Sequence, residues 1–360
     1  MNKKNKTDFG FLMPIKVNCF DCRLRSMKDL KRHSVLFVLL LGINILGTTA
    51  VNAQQTIQFS QYVFNGLAVN PAYAGYKEDL TVNLSFRSQW VGIDGAPRTG
   101  TASIDGLTRN PDKKVGLGLI ATTDRLGPQN TSSVYANYAY RLRIDEDDTK
   151  RLCFGLAFGA TQYNLDGSKF IATDPGDGTV PVGNQSKLSP DLRFGIYFYT
   201  PKFYIGASAV DLLTTGRDMV TTDSYRIIKQ VRHLYLTGGV MLPLSESFDL
   251  KPTFMIKEDF KGPTNLDLNT YLLINKIVWL GASYRTGVKL WDKTNLQSGL
   301  DQNDAISGIV EVFINPRFRV GYSYDYTTSK LSNYQQGSHE ISVSFSLQGK
   351  KERVLSPRYF

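Results

Sequence analysis

Apolar and polar residues alternate along most of this chain with a period of two, and this pattern limits what the chain can fold into. The alternation is clearest near the carboxyl end, where Ile341, Val343 and Phe345 are separated by single serines. Because successive side chains of a β-strand point to opposite faces, such a run predicts a strand with one apolar and one hydroxylic face. No helical period extends beyond a turn or two.

Fourteen runs of this kind predict fourteen strands. They cover residues 80–90, 98–107, 115–123, 132–142, 152–163, 192–199, 203–211, 233–242, 248–257, 265–274, 277–286, 305–314, 317–326 and 338–347. Pro252 lies inside the ninth run and cannot donate to a ladder, so we expect a β-bulge or a different strand boundary there.

Two observations favour a membrane barrel over a soluble β-sandwich. The polar face of the first run carries Thr81, Asn83 and Arg87, which a polar lumen accepts and a packed core does not. Tight turns, as at 200–201, alternate with longer connections, as at 164–189. We therefore predict an all-β fold, a transmembrane antiparallel β-barrel of about 14 strands formed by residues 80–360, in the outer membrane, with the short turns in the periplasm.

Residues 27–53 have the pattern of a signal peptide. Basic residues between Lys28 and His33 precede an apolar stretch from 35 to 46, and Val51-Asn52-Ala53 fits the small-x-small cleavage rule. The apolar stretch is shorter than the roughly 20 residues that a transmembrane helix needs. We expect residues 1–53 to be a leader with a mis-assigned start, and the exported chain to begin at Gln54.

Charge and cysteine content exclude several function classes. The leader carries nine basic and three acidic residues, so the net charge of +10 falls to +4 in the mature chain, which indicates no nucleic-acid partner. Cys19 and Cys22 lie in the leader, and Cys153 alone remains after it. No intramolecular disulfide is expected.

The sequence predicts no catalytic, cofactor-binding or metal site. The mature chain has two histidines, His233 and His339, each beside the start of a predicted strand. His339 next to Glu340 is the one candidate for hydrolytic chemistry, and a strand-end histidine that faces water is the simpler interpretation. Residues 174–178 pair two aspartates but lack the further carboxylates of a calcium loop. We therefore expect a protein that is not an enzyme and has no cofactor.

Residues 54–79 precede the first predicted strand and follow neither period. Their core, QFSQYVFNGLAVNPAYAG at 58–75, is dense in aromatic and amide side chains and is interrupted at Asn70-Pro71. Such groups suit a segment folded into a polar lumen, so 54–79 is predicted to be a periplasmic or lumenal plug. The candidate plug or interaction residues are Tyr62, Phe64, Asn70, Pro71, Tyr73 and Trp90.

The same stretch resembles the amino-terminal signature of the PorP/SprF family, outer-membrane proteins of the type IX secretion system. The resemblance continues in Arg87-x-Gln89-Trp90-Val91-Gly92, in 95–97 (GAP) and in 356–360 (SPRYF). The chain departs from the family pattern in having Gly66 where proline is usual and Ser356 where cysteine is frequent.

The resemblance implies a non-enzymatic barrel that helps export or retain a secreted surface protein or adhesin, next to the lipid bilayer and with periplasmic or outer-membrane secretion components as further partners. One alternative stays open. Fatty-acid channels of the FadL type are also barrels whose amino-terminal hatch contains Asn-Pro-Ala, as at 70–72 here. That alternative predicts a continuous apolar path for small hydrophobic solutes, which the polar strand faces argue against.

Overall fold

The computed structural model describes residues 57–109, 112–170, 183–213, 218–221, 226–229, 231–293, 296 and 302–347. The predicted leader, its cleavage site, the 174–178 turn and the carboxyl-terminal SPRYF motif lie outside these residues. Among the described residues, no helix is long and apolar enough to cross a membrane.

The described residues form seventeen β-strands and short 3-10 turns. The strands are β1 Leu80–Ser88, β2 Arg98–Leu107, β3 Val115–Leu126, β4 Gln129–Arg143, β5 Arg151–Asp166, β6 Asn184–Tyr199, β7 Phe203–Val210, β8 Asp218–Thr221, β9 Arg226–Lys229, β10 His233–Val240, β11 Leu242–Pro243, β12 Phe248–Glu258, β13 Thr264–Ile274, β14 Val278–Val288, β15 Asn303–Asn315, β16 Phe318–Thr327 and β17 Ser338–Leu347.

Fourteen of these strands close into one antiparallel barrel, which confirms the predicted fold. Strands β1 to β7 pair with one another in sequence order. β7 then pairs with β10, and β10 pairs with β12. The series continues from β12 to β17, and β17 returns to β1. The remaining strands are the separate pair β8–β9 and the two-residue β11, which pairs with β12.

The apolar faces of the strands point outward and the polar faces point into the lumen. In β1, Leu84 and Phe86 are 50% and 54% exposed, whereas Thr81 and Arg87 are 0% and 3% exposed. In β17 the exposed side chains include Ile341, while Ser344 is buried. A lipid-facing apolar band around a polar interior is the arrangement of outer-membrane barrels.

The connections at one end of the barrel are mostly shorter than those at the other, and we call these the short-turn end and the long-loop end. At the short-turn end the strands are joined by residues 108–114, 144–150, 200–202, 244–247, 275–277 and 316–317. At the long-loop end they are joined by residues 89–97, 127–128, 167–183, 211–232, 259–263, 289–302 and 328–337. Leu80 pairs with Leu347, so the barrel starts and finishes at the short-turn end. In outer-membrane barrels that end faces the periplasm.

Pro252 does not create the expected bulge or a strand boundary. It lies inside β12 and pairs with Thr270 in an unbroken register. On the other side of β12, pairing stops at Gly239 opposite Thr253 and resumes at Leu242 opposite Leu250 with the same offset. The prediction was wrong because the missing donor interrupts the ladder locally without shifting it.

Candidate functional site

The amino-terminal segment, residues 57–79, lies against the inward-facing side chains of the barrel. It contains three 3-10 turns, Tyr62–Phe64, Gly66–Ala68 and Pro71–Tyr73. The Asn70 side chain accepts a hydrogen bond from the Ala72 N–H at the start of the third turn, where a proline at the first position is favourable. Short turns of this kind explain why the segment follows neither sequence period.

Near the long-loop end, the segment begins in a cluster of buried charges. The Ser60 N–H donates to Glu340 Oε2 at 2.8 Å, and its hydroxyl donates to Asp325 Oδ2 at 2.7 Å. Arg87 donates to the same two carboxylates, at 2.6 Å to Asp325 and 3.3 Å to Glu340. Arg285 is 2% exposed and donates to Gln58 Oε1 at 3.2 Å. These charges are paired with one another, which a buried charge requires.

The middle of the segment packs on the aromatic side chains of β13 and β14. The Phe64 ring meets the Tyr271 ring edge-to-face at 5.3 Å and lies 6.4 Å from Trp279. Asn269 donates to the Tyr62 hydroxyl at 2.7 Å. Edge-to-face aromatic pairs add stabilisation beyond the area that they bury.

A row of small residues crosses the inner wall beside Asn70. Cross-strand pairing aligns Gly116 with Ala139, Ala139 with Gly155, Gly155 with Gly195, and Gly195 with Ser208. We call these five residues the small-residue row. It runs without interruption over five neighbouring strands.

The small-residue row allows the backbone of the segment to lie directly on the wall. A Cβ at Gly155 would be 2.0 Å from Ala72 N, and one at Gly116 would be 2.0 Å from the Ala74 carbonyl oxygen. Both distances are far shorter than van der Waals contact. These positions therefore need glycine, because it has no side chain. Sheet glycines often mark such close approach of another backbone.

Polar groups fix the segment on this row. Asn70 Nδ2 donates to the carbonyls of Ile196 at 3.0 Å and Ala207 at 3.3 Å, on two different strands. The Ser208 hydroxyl donates to the Val69 carbonyl at 2.5 Å. Asn70 thus caps its own turn and also bonds to the wall.

Near the short-turn end, a second charged cluster holds the end of the segment. The Gly75 N–H donates to Asp105 at 2.9 Å. Glu78 pairs with Lys113 at 2.6 Å and lies 3.7 Å from Arg141, which in turn donates to the Tyr199 hydroxyl at 2.6 Å. On the nearby turn, a hydrogen bond from Lys114 lowers the pKa of the exposed Asp112 carboxyl.

Five of the six candidate residues lie together in the segment. Tyr62, Phe64, Asn70, Pro71 and Tyr73 are all buried in the lumen. Tyr73 covers Gly66 so closely that a Cβ there would be 2.4 Å from its ring, which gives a packing reason for glycine at this position in this chain.

Trp90 lies apart from the other five candidates. It is half-buried in the connection after β1 and has a positive φ of 52°. Its backbone N–H donates to the Ser338 hydroxyl at 3.1 Å. It helps to join the 89–97 loop to the start of β17.

Ser60, Asp325 and the small-residue row are not among the residues predicted from the sequence. The row carried a weak signal, since Gly116, Gly155 and Gly195 occupy inward positions of predicted strands. Ser60 carried none, because its partners lie 265 and 280 residues away.

The two histidines have partners outside the amino-terminal segment. His233 is buried 3.5 Å from Asp211, and His339 Nδ1 lies 2.7 Å from the Tyr322 hydroxyl on the outward face. In the described part of the chain, no three His, Cys, Asp or Glu side chains are grouped to hold a metal ion. Cys153 is buried and free.

Comparison with known proteins identifies one family. A model for the type IX secretion system membrane protein PorP/SprF matches residues 51–345. No curated protein matches the chain.

Several solved structures are similar to this chain at low sequence identity. The outer membrane protein Omp33 of Acinetobacter baumannii has 11% identity and a TM-score of 0.42, over 75% of this chain and 100% of that one. A deletion mutant of TodX, a monoaromatic hydrocarbon channel, has 10% identity and a TM-score of 0.45, over 81% and 94%. A mutant porin of Rh. blastica has 8% identity and a TM-score of 0.32, over 75% and 99%. At these levels the likeness carries no functional argument.

Proposed function

Because this chain belongs to the PorP/SprF family of type IX secretion membrane proteins, we propose that it is a non-enzymatic outer-membrane barrel that binds a secreted surface protein and helps to export or retain it. The barrel acts as a scaffold, and the amino-terminal segment acts as a plug in its lumen. No step of the proposed role breaks or forms a covalent bond.

The proposal rests chiefly on the occupied lumen. The amino-terminal segment bonds to β1, β16 and β17 on one side, through Ser60, and to β6 and β7 on the other, through Asn70. The segment is surrounded by the buried charges near Ser60, by the aromatic rings of Tyr271 and Trp279, and by the small-residue row. A hydrophobic solute would need an apolar path, and this arrangement supports a binding role over conduction.

The long-loop end is the proposed docking side for the secreted protein. The longer connections between predicted strands at this end cover residues 164–189, 212–232 and 287–304, and each lies partly outside the described residues. Loops on a rigid scaffold often carry binding function. The short-turn end is left for periplasmic components of the secretion machinery.

Deletion of the gene, followed by a catalogue of surface proteins, tests the proposal. We expect one or a few type IX substrates to disappear from the surface, and plasmid-borne wild-type protein to restore them. Uptake of a small hydrophobic solute should not change. If every substrate stays at normal abundance while solute uptake falls, the FadL-like channel replaces the proposed role.

A further inference from the structure

The two ends of the amino-terminal segment lie at opposite ends of the barrel. Gln58 and Ser60 contact Arg285, Asp325 and Glu340, each two or three residues from the long-loop end of its strand. At a rise of about 3.3 Å per residue, these contacts lie roughly 7–10 Å from the strand ends, measured along strands that tilt against the barrel axis.

The other end of the segment reaches the short turns. Asp105, which binds the Gly75 N–H, is two residues from the end of β2, and Lys113, which binds Glu78, is in the connection that follows β2. β1 then starts at Leu80, at the same end. The segment therefore crosses the lumen from the long-loop end to the short-turn end.

Because the segment crosses the lumen in this direction, its first residues lie near the long-loop end of the barrel. A chain that only dipped into the lumen from the periplasm would have both ends of the segment near the short turns. Here Ile57 and Phe59 are partly exposed, whereas the alternating Gln58 and Ser60 are buried by Arg285 and the carboxylates. Phe59 also packs against the buried cluster that contains Tyr62, so two partly exposed apolar side chains lie at the end of the barrel that faces the cell exterior.

We infer that residues 57–60 form the floor of the extracellular mouth and are an interaction surface for an extended polypeptide segment that carries apolar side chains. A loop or a chain terminus fits into a ring of strands, down to a floor recessed by two or three residues, more readily than a whole folded domain does. The apolar chemistry follows from Ile57 and Phe59. The identification of the occupant as a segment of the secreted protein rests on the proposed function, whereas the position of the floor does not.

Labelling of single cysteines with a membrane-impermeant maleimide tests the position. The variants are Ile57→Cys, Tyr334→Cys at the long-loop end, where the tyrosine is 74% exposed, and Asp112→Cys at the short-turn end, where the side chain is 59% exposed. The wild-type protein is the blank, because Cys153 is 1% exposed.

In intact cells that lack type IX secretion, we expect Ile57→Cys and Tyr334→Cys to react and Asp112→Cys to react only after the outer membrane is permeabilised. The inference is overturned if Ile57→Cys needs permeabilisation while Tyr334→Cys does not, if Ile57→Cys reacts in neither condition, or if Asp112→Cys alone reacts in intact cells.

Labelling in secreting cells tests the occupant. We expect Ile57→Cys to react at least tenfold more slowly when the type IX system is active, with labelling normalised to the denatured protein. Equal rates overturn the occupant while the position of the floor stands. The deletion experiment reports on the proposed function separately, because it does not depend on where the segment begins.

Discussion

The Gly155→Ala substitution is the sharpest test of the contact between the amino-terminal segment and the barrel. The added Cβ would be 2.0 Å from Ala72 N, 2.4 Å from Ala72 Cα and 2.4 Å from the Pro71 carbonyl carbon. All three are backbone atoms, so no side-chain rotation relieves the overlap. The segment must move away from the wall.

The cost can be worked from the contacts that this movement breaks. Asn70 loses its bonds to the Ile196 and Ala207 carbonyls, and the Val69 carbonyl loses its bond from Ser208. At about 0.5–1.5 kcal/mol for each hydrogen bond, the loss is about 1.5–4.5 kcal/mol. Loss of packing against the wall adds to this figure.

Gly308→Ala is the matched control, because it makes the same change in β15 where a Cβ would meet nothing within 4 Å. Its expected effect is below about 0.5 kcal/mol. Heat-modifiable gel migration measures barrel stability, and trypsin cleavage after the buried Lys77 measures release of the segment. Gly155→Ala should unfold at lower temperature and be cut. If both variants melt and resist trypsin alike, the reasoning about the small-residue row is refuted.

Three further predictions concern the lipid face, the buried charges and the leader. Val343→Lys, near the middle of β17, should cost about 2–4 kcal/mol in refolding into lipid vesicles, whereas Leu347→Lys at the strand end should cost about 0–1 kcal/mol, and equal costs would contradict the membrane register. Arg87→Gln leaves the buried Glu340 carboxylate without its cation and Asp325 with Arg285 as its remaining cation, and it should cost about 3–5 kcal/mol in unfolding by denaturant, against less than about 0.5 kcal/mol for the exposed Arg98→Gln. Intact-mass analysis of the native protein should place its first residue at Gln54, and a retained apolar stretch would contradict export by this leader.

The period of two determined the barrel strands without any tertiary information. The predicted runs 98–107 and 338–347 coincide with β2 and β17. In a barrel that separates lipid from a polar lumen, every wall residue faces one or the other. The alternation of apolar and polar residues therefore predicts both the strand and the face that each residue takes.

The same reason explains where strand prediction fell short. β6 begins at Asn184, eight residues before the predicted 192, although it pairs with β5 throughout. Residues 184–191 (NQSKLSPD) do not alternate regularly, because a hairpin beyond the lipid has no apolar surface to face. Pairing continues there through backbone hydrogen bonds, which do not depend on an alternating side-chain pattern.

The path of the amino-terminal segment was decided by the tertiary structure alone. Its sequence predicts an ordered, non-periodic element and nothing about its direction. Ser60 meets Glu340 across 280 residues, and the small-residue row exists only when five strands are paired in register. Local alternation specifies which face a residue takes. Which residues become neighbours across the lumen depends on closure of the whole barrel, because that closure brings strands distant in sequence around one segment.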